Sequence, residues 1–153
     1  MKHENLVSLE KALMNEILNA VGSNDQLRRL IGQEESKKVQ TEVYAKNEPS
    51  RYKRRGLTDG LADPDNIERT SISSNGNKIQ LIYENTTEGV DTLKGKELAD
   101  TIEEGLLENW SNPNGIWSSP RPFIEPTIES LKNDNKLRDE LVSILKKAGM
   151  DVK

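Results

Sequence analysis

Three prolines fall within eight residues at Ser119-Pro120-Arg121-Pro122-Phe123-Ile124-Glu125-Pro126. Each lacks a backbone N–H and disfavours helical geometry in the residue before it, so no continuous helix crosses this stretch. Any helical C-terminal part must start afresh from it. Phe123, the only phenylalanine, sits between two of the prolines, and both tryptophans, Trp110 and Trp117, lie just upstream in a run rich in Asn, Ser, Pro and Gly. Hydrophobic residues make up 33% of the 153 positions, against roughly 45–50% in an ordinary domain. A chain this polar has gathered its rarest large apolar groups in one loop. There they either plug a thin core or face a partner, since aromatic side chains are enriched among interface anchors.

Upstream, Leu6, Leu9, Leu13, Met14, Ile17, Leu18 and Val21 recur at three- and four-residue intervals, the pattern of an amphipathic helix. Gly22 is expected to close it at the C′ position. Ser23-Asn24-Asp25-Gln26 has the form of a capping box, with Ser23 as cap and Gln26 reaching back. A short helix with Leu27, Leu30 and Ile31 should follow and stop near Gly32. Residues 33–46 are polar apart from Val39, Val43 and Tyr44. Helix is preferred over strand there, ending before Pro49. These N-terminal helices span 4–47.

A sheet-and-helix body is expected over 57–110. Its first part, Gly56 to Asn66, is turn chemistry. Two strands, Ile67–Ser74 and Asn77–Asn85, flank Asn75-Gly76, a strong hairpin signal because a type I′ turn needs positive φ at both central residues. That turn would set Ile72 opposite Ile79 and Thr70 opposite Leu81, on one face with Tyr83. A lone hairpin is barely stable, so other elements must cover this face. From Lys96, the residues Leu98, Ile102, Leu106, Leu107 and Trp110 fall at helical spacing, with a break possible at Gly105. After the aromatic, proline-rich loop 111–122, a helical segment over 123–149 carries Ile128 and Leu131, then Leu137, Leu141, Ile144, Leu145 and Ala148. It ends with Lys146, Lys147 and a C′ glycine, Gly149. The expected fold is α+β, one domain with a small antiparallel sheet built around a β-hairpin and packed by several helices.

The residues point away from catalysis. With no cysteine there are no disulfides, thiolate metal sites or cysteine nucleophiles. The sole histidine, His3, is near the N-terminus and anchors neither a triad nor a metal site. Gly89 to Glu97 has the look of a phosphate loop, but its glycines are one residue too far apart and Glu97 stands where a Ser or Thr must hold Mg²⁺. Asp59, Asp63, Asp65 and Asn66 lack EF-hand spacing and suit turns better. Glu103 and Glu104 are adjacent, so on a helix they do not face each other. No catalytic residue, metal or cofactor is expected. The first residues fit neither a signal peptide nor a membrane span. A net charge of −4 argues against general nucleic-acid binding. The one dense basic patch, Arg51, Lys53, Arg54 and Arg55 around Tyr52, is either a solvated loop or a local contact with phosphates or an acidic neighbour.

Three segments resemble the head–tail joining proteins of long-tailed phages, also called neck or tail-completion proteins. Gly56-Leu57-Thr58-Asp59-Gly60-Leu61 to Ile67 is similar to that family's Thr-Gly-x-Leu-x-x-Ser-Ile lead into a first strand. Ala99-Asp100-Thr101-Ile102-Glu103-Glu104-Gly105 is similar to its Tyr-Ala-x-x-Ile-Glu-x-Gly segment, with Leu98 in place of the Tyr. Arg121-Pro122-Phe123-Ile124-Glu125-Pro126 matches its Arg-Pro-Phe-hydrophobic-x-Pro start of the terminal helix. Tyr44, Pro49, Tyr52 and Arg54-Arg55 also resemble a pattern of relatives from phages of Gram-positive hosts. The resemblance covers roughly residues 44–133.

The resemblance implies a small α+β virion protein that catalyses nothing. It would form a ring, commonly of six, between the portal-side connector and the tail tube or tail terminator, with DNA only passing through its channel. It would reside in the virion, and in the host cytoplasm during assembly. Arg51, Lys53, Arg54 and Arg55 would then be candidate partner or channel contacts, and Trp110, Trp117 and Phe123 candidate interface or loop anchors. The alternative is a small regulatory protein that binds nucleic acid through the basic patch. A carboxylate-based hydrolase is a third, weaker reading.

Overall fold

The apolar line Leu6, Leu9, Leu13, Ile17 forms as a helix, α1 (Lys2–Gly22). The structure is a computed structural model that describes residues 2–46, 55–89, 98–105 and 120–153. Gly22 does not take the left-handed conformation expected of a C′ residue; it is the last helical residue. Ser23 ends α1 instead, its hydroxyl donating to the Asn19 carbonyl at 2.7 Å. The expected capping box is therefore wrong. In so short a connection the Ser23 hydroxyl lies nearer the last carbonyls of α1 than the first amides of the next helix. Asn24 serves those amides, its Oδ1 accepting from the Gln26 amide at 2.7 Å.

α2 (Gln26–Lys38) passes straight through Gly32 and continues as a π-helical turn, Val39–Tyr44. The expected stop at Gly32 misread the residue. Glycine in a helix interior costs about 1 kcal/mol, but here it makes room for a neighbour. A Cβ at Gly32 would lie 2.4 Å from the carbonyl oxygen of Pro64, in the 3₁₀ turn Pro64–Asn66. Backbone on both sides leaves little scope to yield. Gly32→Ala is expected to lower stability by roughly 1–3 kcal/mol, read as a lower thermal midpoint, although alanine is the better helix former. An unchanged midpoint would mean that the turn does not pack this closely.

The preference for helix over 33–46 holds, with a change of winding. The Ala45 amide reaches back five residues to the Gln40 carbonyl at 2.9 Å. This wider turn, frequent at packing irregularities, keeps Val39 and Val43 buried together. The approach to Pro49 lies outside the described residues.

The hairpin is present, with a different turn. β1 (Ile67–Asn75) and β2 (Lys78–Asn85) pair antiparallel, with Asn75 opposite Lys78. The two-residue loop is thus Gly76-Asn77, not Asn75-Gly76. Gly76 has φ +59° and Asn77 is not left-handed, which fits a turn with glycine at its first central position. Ile72 now faces Leu81 and Ser74 faces Ile79, and a bulge between Arg69 and Ser71 takes up Thr70. The slip is of two positions, so it preserves the faces. Leu81 and Tyr83 still point the same way and pack against α1 and α5.

α3 (Leu98–Glu104) ends at Gly105, which has φ +67°, so the expected break is real. The expected continuation through Leu106, Leu107 and Trp110 lies outside the described residues, as do Trp117 and the loop up to Ser119. α4 (Ile124–Asn133) starts inside the proline-rich stretch. Pro126 falls in its first turn, where no intrahelical partner for the amide is needed. α5 (Lys136–Lys147) ends as expected: Gly149 is left-handed at φ +86°, its amide donates to Lys146 O at 3.0 Å, and the Met150 amide donates to Leu145 O at 3.0 Å. Those two bonds make a Schellman motif, and Met150 packs inward as that motif favours.

The described residues thus form an α+β fold of five α-helices and a two-stranded antiparallel sheet. α2 is its axis and touches α4, α5, β1 and the 64–66 turn. One apolar cluster, Val21, Leu27, Ile144 and Leu145, gathers near the start of α2. A second gathers around its π-helical end.

Candidate functional site

The second cluster unites the segments that carried the sequence resemblance. Leu61 and Ala62 come from the 56–67 segment, Ala99 and Ile102 from α3, and Phe123 from the proline-rich stretch; all five are buried with Val39 and Val43. Phe123 has 0% of its surface exposed and is among the largest fully buried side chains. Its ring is enclosed by the chain's own core and is not offered to a partner. The segments have few apolar residues each, so one large ring is needed to fill the space among them.

Polar bonds then fix the segments around the ring. A Glu103 carboxylate oxygen accepts from the Phe123 amide at 2.7 Å and the Ile124 amide at 3.2 Å. Those amides open α4, where no intrahelical acceptor exists and the helix dipole favours an anion. Glu103 is thus a cap supplied from α3. The Arg121 amide also donates to the Ile102 carbonyl at 3.0 Å, a second tie between α3 and the proline-rich stretch.

A second set of bonds centres on Asn85, at the end of β2. Its Nδ2 donates to Glu35 Oε1 at 2.7 Å and to the Leu61 carbonyl at 3.1 Å. Its Oδ1 accepts from the Thr87 amide at 3.0 Å and the Thr87 hydroxyl at 2.5 Å. Asn66 Nδ2 donates to Gly60 O at 3.0 Å and Thr87 Oγ1 at 2.9 Å. Ser36 on α2 donates to the Ala62 carbonyl at 2.6 Å, and the Ala62 amide donates to the Tyr44 hydroxyl at 3.3 Å. The 56–66 loop, which has little apolar content, is thereby bonded to α2 and β2 through its backbone.

Three consecutive polar residues of α2, Glu34, Glu35 and Ser36, are buried. Glu34 Oε1 accepts from Lys37 at 2.6 Å, and its Oε2 accepts from Ser130 at 3.0 Å and Lys136 at 3.0 Å. Lys37 foremost holds the Glu34 carboxyl down to about 2. In Glu35, burial pushes the carboxyl above its usual range; the Asn85 bond opposes this and the nearby Glu103 charge adds to it. At the start of α2, Arg28 and Arg29 hold Asp25 down to about 2.

The other sequence candidates distribute as follows. Arg51, Lys53, Arg54, Trp110 and Trp117 lie outside the described residues. Arg55 is exposed, and its guanidinium donates to the Glu88 carbonyl at 2.7 Å. Asp63 accepts from the Asp59 amide at 2.6 Å and the Asp65 amide at 2.9 Å, which is turn formation. Among the described residues, no group of three or more His, Asp or Glu could hold a metal ion, and no helix is long and apolar enough to cross a membrane.

Sequence reasoning missed Glu35, Asn85 and Thr87 and misjudged Glu103. One signal was available. Asn85, Asp63 and Asn24 each bond the amide two residues on, the Asx-turn habit of these side chains. An Asn that ends a strand and is followed by two threonines fits that habit. Nothing local reveals that Glu35 is buried.

A comparison with curated proteins and one with solved structures gave no match. A family model named YomN matches residues 5–147. This reaches from α1 to the last residue of α5, so the N-terminal helices that the sequence resemblance left out fall within the match. The chain belongs to the YomN family, a phage-derived family.

Proposed function

We propose that this protein is a structural component of a phage virion that joins the filled head to the tail as a ring of identical copies, without catalysing a reaction. The observation that carries the reading is the convergence on Phe123. The three segments that resemble joining proteins are far apart in sequence, yet they supply one core, Leu61 and Ala62, Ala99 and Ile102, and Phe123. Segments matched by chance have no reason to meet. The phage derivation of the family supports the same reading. So does the use made of the buried polar groups, which serve backbone amides and carbonyls of loops and helix ends and fix a shape. The partners in this reading are other copies, portal-side connector proteins and tail tube or terminator proteins, with DNA as passing cargo. The virion is the final location, after assembly in the host cytoplasm.

Deleting the gene from its source replicon, inducing particles and imaging the lysate by electron microscopy tests this. The expected result is DNA-filled heads beside separate tails of normal length. Intact virions at normal yield would remove the joining role.

A further inference from the structure

One line of α1 serves two surroundings. Leu6, Leu9, Leu13, Ile17 and Ala20 follow each other at helical spacing along a single face. Ile17 and Ala20 pack against the Val21–Leu27–Ile144–Leu145 cluster. Leu6, Leu9 and Leu13 continue the same line with 61%, 64% and 49% of their surface exposed. Three successive large apolar groups on one face are more than the scattered exposure normal for a surface. Glu10 and Glu16, both exposed, stand within one turn of these leucines.

A second exposed apolar area lies on α4 and α5. Ile128 is 43% exposed, with Lys132 one turn on; Leu141 is 36% exposed, with Arg138 one turn before. Both cations are exposed, and among the described residues none of Glu10, Glu16, Lys132 and Arg138 forms an ion pair. We propose that the first half of α1 in one copy docks through Leu6, Leu9 and Leu13 onto the α4–α5 surface of a second copy that carries Ile128 and Leu141, with Glu10 and Glu16 meeting Lys132 and Arg138.

Charge decides against the symmetric alternative. Two α1 faces packed on each other would bring acidic flanks against acidic flanks. The α1-to-α4–α5 contact pairs acid with base and apolar with apolar. It uses a different surface on each copy, so every copy keeps one of each to offer. Such a head-to-tail contact closes into a ring when its rotation permits. The inference deepens the ring reading by naming the joining surfaces.

The chain has no cysteine, so site-directed cross-linking is unambiguous. Leu9→Cys and Arg138→Cys both alter exposed positions. Mixed as full-length proteins under mild oxidation, the two variants should give cross-linked dimers containing one of each. The doubly substituted chain should give a ladder of higher species. Circular dichroism of each variant should match the unsubstituted protein. Replacing Glu10 and Glu16 by Lys in the doubly substituted chain should reduce the ladder at least several-fold, and Lys132→Glu with Arg138→Glu in a partner chain should restore association measured by sedimentation. Self-cross-linking of Leu9→Cys in preference to the mixed product would overturn the proposal, because it indicates α1 against α1. A protein that sediments as a monomer at its highest soluble concentration, with no cross-linking, would overturn it too and point to a different protein as occupant. Either failure can occur while heads and tails still separate on gene deletion, so this test and that of the joining role fail independently.

Discussion

Alanine in place of Phe123 lowers the unfolding free energy by about 3–5 kcal/mol, the range for truncating a large buried aromatic. The ring is fully enclosed by Val39, Val43, Leu61, Ala62, Ala99 and Ile102, residues drawn from α2's π-helical end, the 56–67 segment and α3. None of them can follow the ring inward alone, because each is held by backbone bonds to its own element. A cavity therefore persists, and its cost adds to the lost burial. Domains of this size are stable by roughly 5–15 kcal/mol, so the change consumes a large part of the margin. Urea unfolding followed by circular dichroism measures it. Phe123→Leu, which refills most of the space, should recover more than half. A melting curve for Phe123→Ala within error of the unsubstituted protein would show that the ring is not the centre of this core. If the variant also folded normally and still completed virions, Phe123 would have no part in the joining role.

What the sequence made legible was periodic or terminal. The apolar line of α1, the faces of the hairpin and the Lys146-Lys147-Ala148-Gly149 ending of α5 each declare themselves within a few residues, because one element's own spacing encodes them. The failures share a different cause. Gly32 reads as a stop until the carbonyl of Pro64 is seen against it. Ser23 reads as a cap for the helix ahead until it is found serving the helix behind. The hairpin turn moved by one residue, since Gly76 can occupy either central position and the strands on both sides tolerate the slip.

The candidate site was legible in its apolar half. The proline-rich stretch announced that Phe123 sits at a junction, though not which elements meet there. Its polar half was hidden. A helix carrying Gln33, Glu34, Glu35 and Ser36 in succession has the composition of a solvent-facing surface, yet α2 is the axis of the fold. It can be so only because Lys37, Lys136, Ser130, Asn85 and the Ala62 carbonyl meet those side chains. Glu34 and Lys136 are 102 residues apart and Glu35 and Asn85 are 50 apart, distances at which no local pattern operates. A low apolar content is then compatible with an ordered interior, provided buried polar groups are partnered.

Asn85 carries the largest polar share of that arrangement, and Asn85→Ala is expected to cost on the order of 4 kcal/mol near neutral pH. A buried group left without its partner costs roughly 1–3 kcal/mol, and the change strands the Glu35 carboxylate, the Leu61 carbonyl and the Thr87 amide together. Glu35 gives the loss a pH signature. Burial already raises its folded-state pKa above the ordinary 4.5, and Asn85 is what opposes the rise. With the folded pKa above the unfolded one, the folded protein binds the extra proton, so the burdened, ionised form is absent below 4.5 and appears as pH rises through the folded value. Removing Asn85 pushes that value higher. The deficit of the variant should therefore be smallest near pH 5 and grow toward pH 8. The depressed pKa values of Glu34 and Asp25, both about 2, act elsewhere: their contributions are complete above the unfolded values and are lost only as pH falls toward 2. The two windows do not overlap. Urea unfolding of both proteins at several pH values between 5 and 8 makes the measurement, and Glu35→Gln in the Asn85→Ala background supplies the control. It should flatten the pH dependence and restore part of the stability. A deficit that is equal at all these pH values, or unaffected by Glu35→Gln, would mean that Asn85 acts through the Leu61 and Thr87 backbone alone and that Glu35 is not its charged partner.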